Sequence, residues 1–96
     1  MTAAAGLSED ARPRLAPGVL LRHDRARGQW VLLGPERVLV LDEVALEVVR
    51  ACVGGADPVG QGIDRLVQAF DAPRPTIAAD VLALLADLRL RGFVVL

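Results

Sequence analysis

From Val19 to Leu41 the apolar residues fall in short runs cut by turn formers, and from Val44 onward they recur at three- and four-residue spacing. "VLLRHD" (19 to 24) and "QWVLL" (29 to 33) read as strands, and Gly28 between them suits a hairpin turn. Gly34-Pro35 marks a second turn, after which residues 37 to 41 form a third strand. Connections this tight predict an antiparallel meander. The third strand is unusual. Val38 to Leu41 is apolar without interruption, whereas a half-buried strand alternates apolar with polar.

Helices take over at Asp42, whose carboxylate suits the orphan amides of a first helical turn. Leu41 and Leu46 then occupy the two positions of a hydrophobic staple. Val44, Val48 and Cys52 lie one above another, with Ala45 and Val49 beside them, and Gly54-Gly55 ends the helix. Asp57 followed by Pro58 predicts a capped start for a second helix, in which Val59, Ile63, Leu66, Val67 and Phe70 form one stripe. Gly60 and Gly62 cost that helix roughly 1 kcal/mol each relative to Ala, which predicts a frayed start. "DAPRP" (71 to 75) breaks the chain before a third helix running from Pro75 or Thr76 to Arg91, with Gly92 past its end. Its apolar face is Ile77, Val81, Leu84, Leu85 and Leu88, and Ala79, Leu82, Ala86 and Leu90 carry the apolar surface further round. Asp80, Asp87 and Arg91 share one polar line. "FVVL" (93 to 96) returns as a short strand or tucks under the sheet, while residues 1 to 15 show no periodicity and read as a flexible tail or linker remnant. The expected architecture is α+β: a three-stranded antiparallel sheet followed by a three-helix bundle, in one domain spanning residues 16 to 96.

Composition narrows the function. With 96 residues, 53% hydrophobic and 3% aromatic, the chain supports a single, mainly aliphatic core. No apolar run reaches the ~18 residues of a spanning helix, and no signal sequence opens the chain. The single cysteine, Cys52, cannot form an internal disulfide and makes a metal site improbable; both point to a reducing cytoplasm. The formal charge of −1 argues against bulk attraction to nucleic acid or anionic membrane.

Catalysis finds no support. His23 is the sole histidine and Ser8 the sole serine, the latter in the expected tail; Cys52 sits among valines as a small hydrophobe. No glycine-rich phosphate loop is present, and no cofactor is expected. A winged-helix DNA-binding or regulatory module is the alternative reading of the second and third helices. A recognition helix needs Arg, Lys, Asn or Gln facing bases and phosphates; residues 76 to 91 bring two acids and two late arginines.

The surplus apolar surface of the third strand and third helix fits a groove that an extended peptide fills as an added strand. A five-residue strand spans about 16 Å, enough for about five peptide residues. A dimerisation module using the same edge would read alike. "RLAPGVLLRHDRARGQWVLLGPERVLVLDEVALEVVRACVGG" followed by "APRPTIAADVLALLADLRLRGFVVL" resembles the PqqD family of peptide chaperones in pyrroloquinoline quinone biosynthesis. The resemblance lies in Leu15 and Pro17, the hairpin around "RGQWVLLGPE", the apolar strand entering a cap, Cys52-Val53-Gly54, and the "ADVLALLADLRLRGF" ending. It implies a winged-helix-like fold and a recognition element for ribosomally made, modified peptides, with neither catalysis nor cofactor. It also implies binding of the precursor peptide PqqA, presentation to the radical S-adenosylmethionine enzyme PqqE, and in some members fusion behind PqqC. The implied peptide-binding residues are Arg37, Val38, Leu39, Val40 and Leu41 on the strand, and Ala79, Leu82, Leu85 and Ala86 on the third helix. Asp42 stands where many relatives have Asn, and Gly60-Gln61-Gly62 replaces an acid-containing turn.

Overall fold

In the computed structural model, which describes residues 7–96, the elements are β1 (Arg14–Leu15), β2 (Leu20–Asp24), β3 (Gln29–Gly34), β4 (Arg37–Leu41), α1 (Glu43–Cys52), α2 (Val59–Ala69), α3 (Arg74–Leu90) and β5 (Val94–Val95). The expected meander is present as an antiparallel sheet of order β2-β3-β4. Its strands alternate. Leu21, Trp30, Leu32, Leu39 and Leu41 face the helices and join the core, while Leu20, Val38 and Val40 lie exposed on the other face. The turn between β3 and β4 is Pro35-Glu36, with Glu36 at φ 59, so Pro fixes the first turn position and a non-glycine residue takes the left-handed one.

Asp42 caps α1 as expected, accepting the Ala45 amide at 2.7 Å, and Leu41 and Leu46 are both buried at the staple positions. The start of α2 differs from expectation. Pro58, not Asp57, is the cap residue and no side chain caps the helix; Asp57 instead pairs with Arg65 at 3.3 Å. The first amides of α2 are satisfied by main chain from upstream: Val59 donates to the Ala11 carbonyl at 2.9 Å and Gly60 to that of Glu9 at 2.8 Å. Gly62 is likewise no weak point. A Cβ there would come within 2.6 Å of the Ala51 carbonyl oxygen and of Cys52 Sγ, so its absence is what lets α2 lie against the end of α1.

At the other end of the bundle, α3 closes in a Schellman motif: Gly92 (φ 86) donates to the Arg89 carbonyl at 3.0 Å and Phe93 to that of Leu88 at 2.9 Å. The chain then returns as β5, which pairs antiparallel with β1 through Arg14 opposite Val95 and Leu15 opposite Val94. Two antiparallel sheets and three helices therefore make up an α+β fold, and the simple order of sheet then bundle is incomplete because β1 and β5 bracket it.

For residues 7 to 15 this second sheet and its surroundings correct the expectation of a tail over residues 1 to 15 and of a domain beginning at Ala16. Residues 1 to 6 lie outside the described residues, but from Leu7 onward the segment is structural. Leu7 is 5% exposed within the core, Pro13 is fully buried, and the Pro13 carbonyl accepts the Gly54 amide at 2.9 Å. Arg74 at the start of α3 ties in the same segment through Glu9 at 2.8 Å and α2 through Asp64 at 2.8 Å. Pattern reading missed it because its bonds run to distant partners and its two-residue strand is too short to show a period.

Two substitutions test this packing. Gly62→Ala should lower stability by about 1–3 kcal/mol in urea unfolding, although helix propensity alone would favour it by about 1 kcal/mol. Leu7→Ala should cost about 2–3 kcal/mol, whereas a mobile tail would leave the unfolding midpoint unmoved.

Candidate functional site

The sheet ends at β4, and among the described residues no strand pairs with its far side. Its register dictates what that side presents. Gly34 lies opposite Arg37 across a two-residue turn, so this is a hydrogen-bonded pair, as are Leu32–Leu39 and Trp30–Leu41. Leu33–Val38 and Val31–Val40 are the intervening non-bonded pairs. The amides and carbonyls of Val38 and Val40 therefore point to the open edge. Their side chains, 60% and 53% exposed, add an apolar border.

Helix α3 lies beside this edge in the opposite sense. At the start of β4, the Arg37 guanidinium donates to the Arg91 carbonyl and sits 5.5 Å over the Phe93 ring. Gly92 leaves it room, since a Cβ there would lie 3.0 Å from Arg37 Nη1. At the other end, Asp42 and the first turns of α1 face the middle of α3 across a hollow of about 430 Å³. Val44, Ala45 and Val48 line it from α1, Leu66 and Phe70 from α2, and Ile77, Asp80, Val81 and Leu84 from α3.

The expected strand residues thus occupy the edge, with Leu39 half-buried and Leu41 buried on the core side. The expected helix residues do not gather there. Leu85 is 0% exposed, enclosed in the core, and has no surface to offer a peptide. Ala79, Leu82 and Ala86 lie about 140–160° round the helix from Leu84 at 100° per residue, on the flank turned away from the hollow. Asp80 and Leu84 are the α3 residues that share the hollow with Asp42 and Val44. The signal was present: Leu84 is the one apolar member of the i, i+4, i+7, i+11 line Asp80-Leu84-Asp87-Arg91, which otherwise looks like a solvated face.

The groups considered for catalysis lie elsewhere. His23 stacks on Trp30 at 4.9 Å, and Arg50 covers the same ring at 4.6 Å. Cys52 is buried, and burial pushes its thiol up to about 11, with the Arg65 charge opposing weakly. Among the described residues no group of three or more His, Cys, Asp or Glu could hold a metal ion. No helix among the described residues is long and apolar enough to cross a membrane. A second hollow, on the outer sheet face, is bordered by Arg22, Arg25 and Arg27 around Val31, Leu33, Val38 and Val40.

A small α+β domain with an unpaired sheet edge running beside a helix is the class that this geometry defines. The model of the family described as coenzyme PQQ synthesis protein D (PqqD) matches residues 29–94, and the chain belongs to that family. A relative from Bradyrhizobium diazoefficiens named PqqA binding protein is 45% identical over 87 residues, covering 91% of this chain and 84% of the relative. One of the same name from Xanthomonas oryzae pv. oryzae is 46% identical over 85 residues, covering 88% and 91%. The solution structure of the PqqD truncation of Methylobacterium extorquens PqqCD, described as a stand-alone RiPP recognition element, superposes with a TM-score of 0.77 at 35% identity. It covers 99% of this chain and 100% of that one. The crystal structure of PqqD from Xanthomonas campestris gives 0.52 at 44% identity, covering 88% and 93%.

The Cys52 environment makes a direct prediction. At pH 8 a thiol-alkylating reagent should modify the native protein far more slowly than the urea-unfolded chain, since both thiolate content and access are low. Comparable rates in mass-spectrometric time courses would show that the α1–α2 contact opens readily.

Proposed function

We propose that this chain is a non-enzymatic peptide chaperone of the cytoplasm that binds the precursor peptide PqqA as a strand added to β4. It then presents the peptide to the radical S-adenosylmethionine enzyme PqqE in pyrroloquinoline quinone biosynthesis. The observation that carries this reading is the outward direction of the Val38 and Val40 main-chain groups along a free edge, in a chain whose relatives are named for binding PqqA. An added strand receives affinity from those groups and selectivity from pockets for its alternate side chains. Residues 37 to 41 are the strand that accepts the peptide, and the facing wall is the Asp80–Leu84 side of α3 rather than Ala79, Leu82 and Ala86. The winged-helix-like description belongs to the same reading, with the sheet as the wing beside α2 and α3.

Charge favours this over a DNA-binding module. The exposed line of α3 beside the groove carries Asp80 and Asp87, which would repel a phosphate backbone. The PqqE step is supported by the family resemblance. It predicts that the peptide–chaperone complex, rather than the peptide alone, is what PqqE engages.

Titrating the isotope-labelled protein with PqqA should shift the backbone amides of residues 37 to 42 and of the Asp80–Leu84 turn. Val40→Pro removes an outward amide and should weaken binding about tenfold while the protein stays folded. Leu39→Pro removes a ladder bond to β3 and should unfold the sheet. Equal binding by wild type and Val40→Pro would exclude strand addition at this edge.

A further inference from the structure

The hollow at the end of β4 has a chemistry of its own, and we infer that it is an anchor subsite for a large apolar peptide side chain flanked by a cationic residue. The inference rests on the strand-addition reading and specifies what the bound peptide must carry. Asp42 directly follows the last residue of β4, so a strand continuing past Leu41 arrives at the mouth of the hollow. The floor is aliphatic and aromatic, including Val48, Leu66 and Phe70. Val44 on its rim is 57% exposed, whereas Leu46, Val48, Val49 and Cys52 of the same helix are buried. An open apolar hollow of about 430 Å³ lies within the size range of ligand pockets and accepts one bulky side chain together with its neighbour's stem.

The polar groups at the mouth all have one sign. Among the described residues, Asp42 and Asp80 are the charged groups that line the hollow, both exposed, and no base lines it. One Asp42 oxygen is engaged by the Ala45 amide, leaving the second free. Asp80 makes no ion pair among the described residues, unlike Asp87, which holds Arg91 at 3.0 Å. The positive end of the α1 dipole is answered by Asp42, so the Asp80 charge remains for a ligand. At the far end of β4, Arg37 lies on the Arg91 carbonyl and the Phe93 ring with no carboxylate partner in its contacts. The groove is thus polarised along its length, acidic beyond Leu41 and basic at Arg37. A peptide that fits carries its apolar-plus-cation pair at the Asp42 end and an acidic residue about five positions away, near Arg37. This charge order fixes the direction of the added strand, because a peptide seated the other way would place like charges together at both ends.

The test compares binding of PqqA to the full chain and to three variants by calorimetry at low and at physiological salt. Asp80→Arg and Val44→Ser alter exposed side chains and should leave the fold intact by thermal melting. Each should weaken binding about five- to tenfold, and Asp80→Arg should also flatten the salt dependence. Replacing each Lys or Arg of the peptide in turn by Gln should reveal one position whose loss costs the wild type affinity but costs Asp80→Arg nothing. The third variant, Val40→Pro, separates the two levels. If it alone loses affinity while Asp80→Arg and Val44→Ser bind as wild type, or if Asp80→Arg binds more tightly, the subsite is refuted and edge addition stands. If the wild-type chain itself does not bind, both fail.

Discussion

The register between β3 and β4 decides what the open edge of the sheet presents. A two-residue turn with Pro35 fixed at its first position leaves one way to pair the strands, and that pairing sends the Val38 and Val40 main-chain groups outward. It also sends Leu39 and Leu41 into the core. A slip of one residue would exchange the two sets, burying the valines' side of the strand and exposing its leucines. The core therefore polices the edge: burial of two leucines guarantees which amides point outward along it. The continuous apolar run from Val38 to Leu41 is the sequence trace of these two duties.

An edge alone makes no groove; α3 must stand beside it, and that depends on a segment far away in sequence. Residues 9 and 11 provide the carbonyls that satisfy the start of α2, residues 14 and 15 pair with β5 just beyond α3, and Glu9 holds Arg74 at the first residue of α3. Arg74, through its hydrogen bonds, keeps the Glu9 carboxyl below its usual range. A carboxylate with a lowered folded-state pKa contributes stability above its ordinary range, and that contribution disappears as pH falls through the folded value. Both side chains are only half-buried, so water screens the pair and it acts as a positioning contact more than as a source of stability.

What the sequence discloses and what it hides separate along the line between local and distant causes. The three sheet strands, the Asp42 cap, the Leu41–Leu46 staple and the Val59–Phe70 stripe are determined within a few residues, and each appears where pattern predicts it. Gly60 and Gly62 read as helix weakeners because propensity is local, while their reason is the approach of Glu9 and of the end of α1. Asp57 read as a cap because its position is right, but main chain from residues 9 and 11 had already filled that role. Which residues of α3 line the hollow is hidden for the same cause. Periodicity shows that α3 is apolar over much of its circumference, yet only the position of α1 distinguishes the flank of Leu84 from that of Leu82.

An open edge invites any strand, including that of another copy, and the placement of α3 discriminates between guests. The core face of the sheet and α3 lie on the same side of β4, joined through Arg37, the Arg91 carbonyl and the Phe93 ring. Two copies joined edge to edge in antiparallel fashion would present both α3 helices on one face of the continuous sheet. Each would claim the space beside the other's edge strand. A bare peptide brings no helix and meets no such conflict. Short length adds to the selectivity, since five residues of edge give little to a partner that cannot also use the flanking groove. On the strand-addition reading proposed above, sterics from the flanking helix thus disfavour pairing between copies and admit an extended chain.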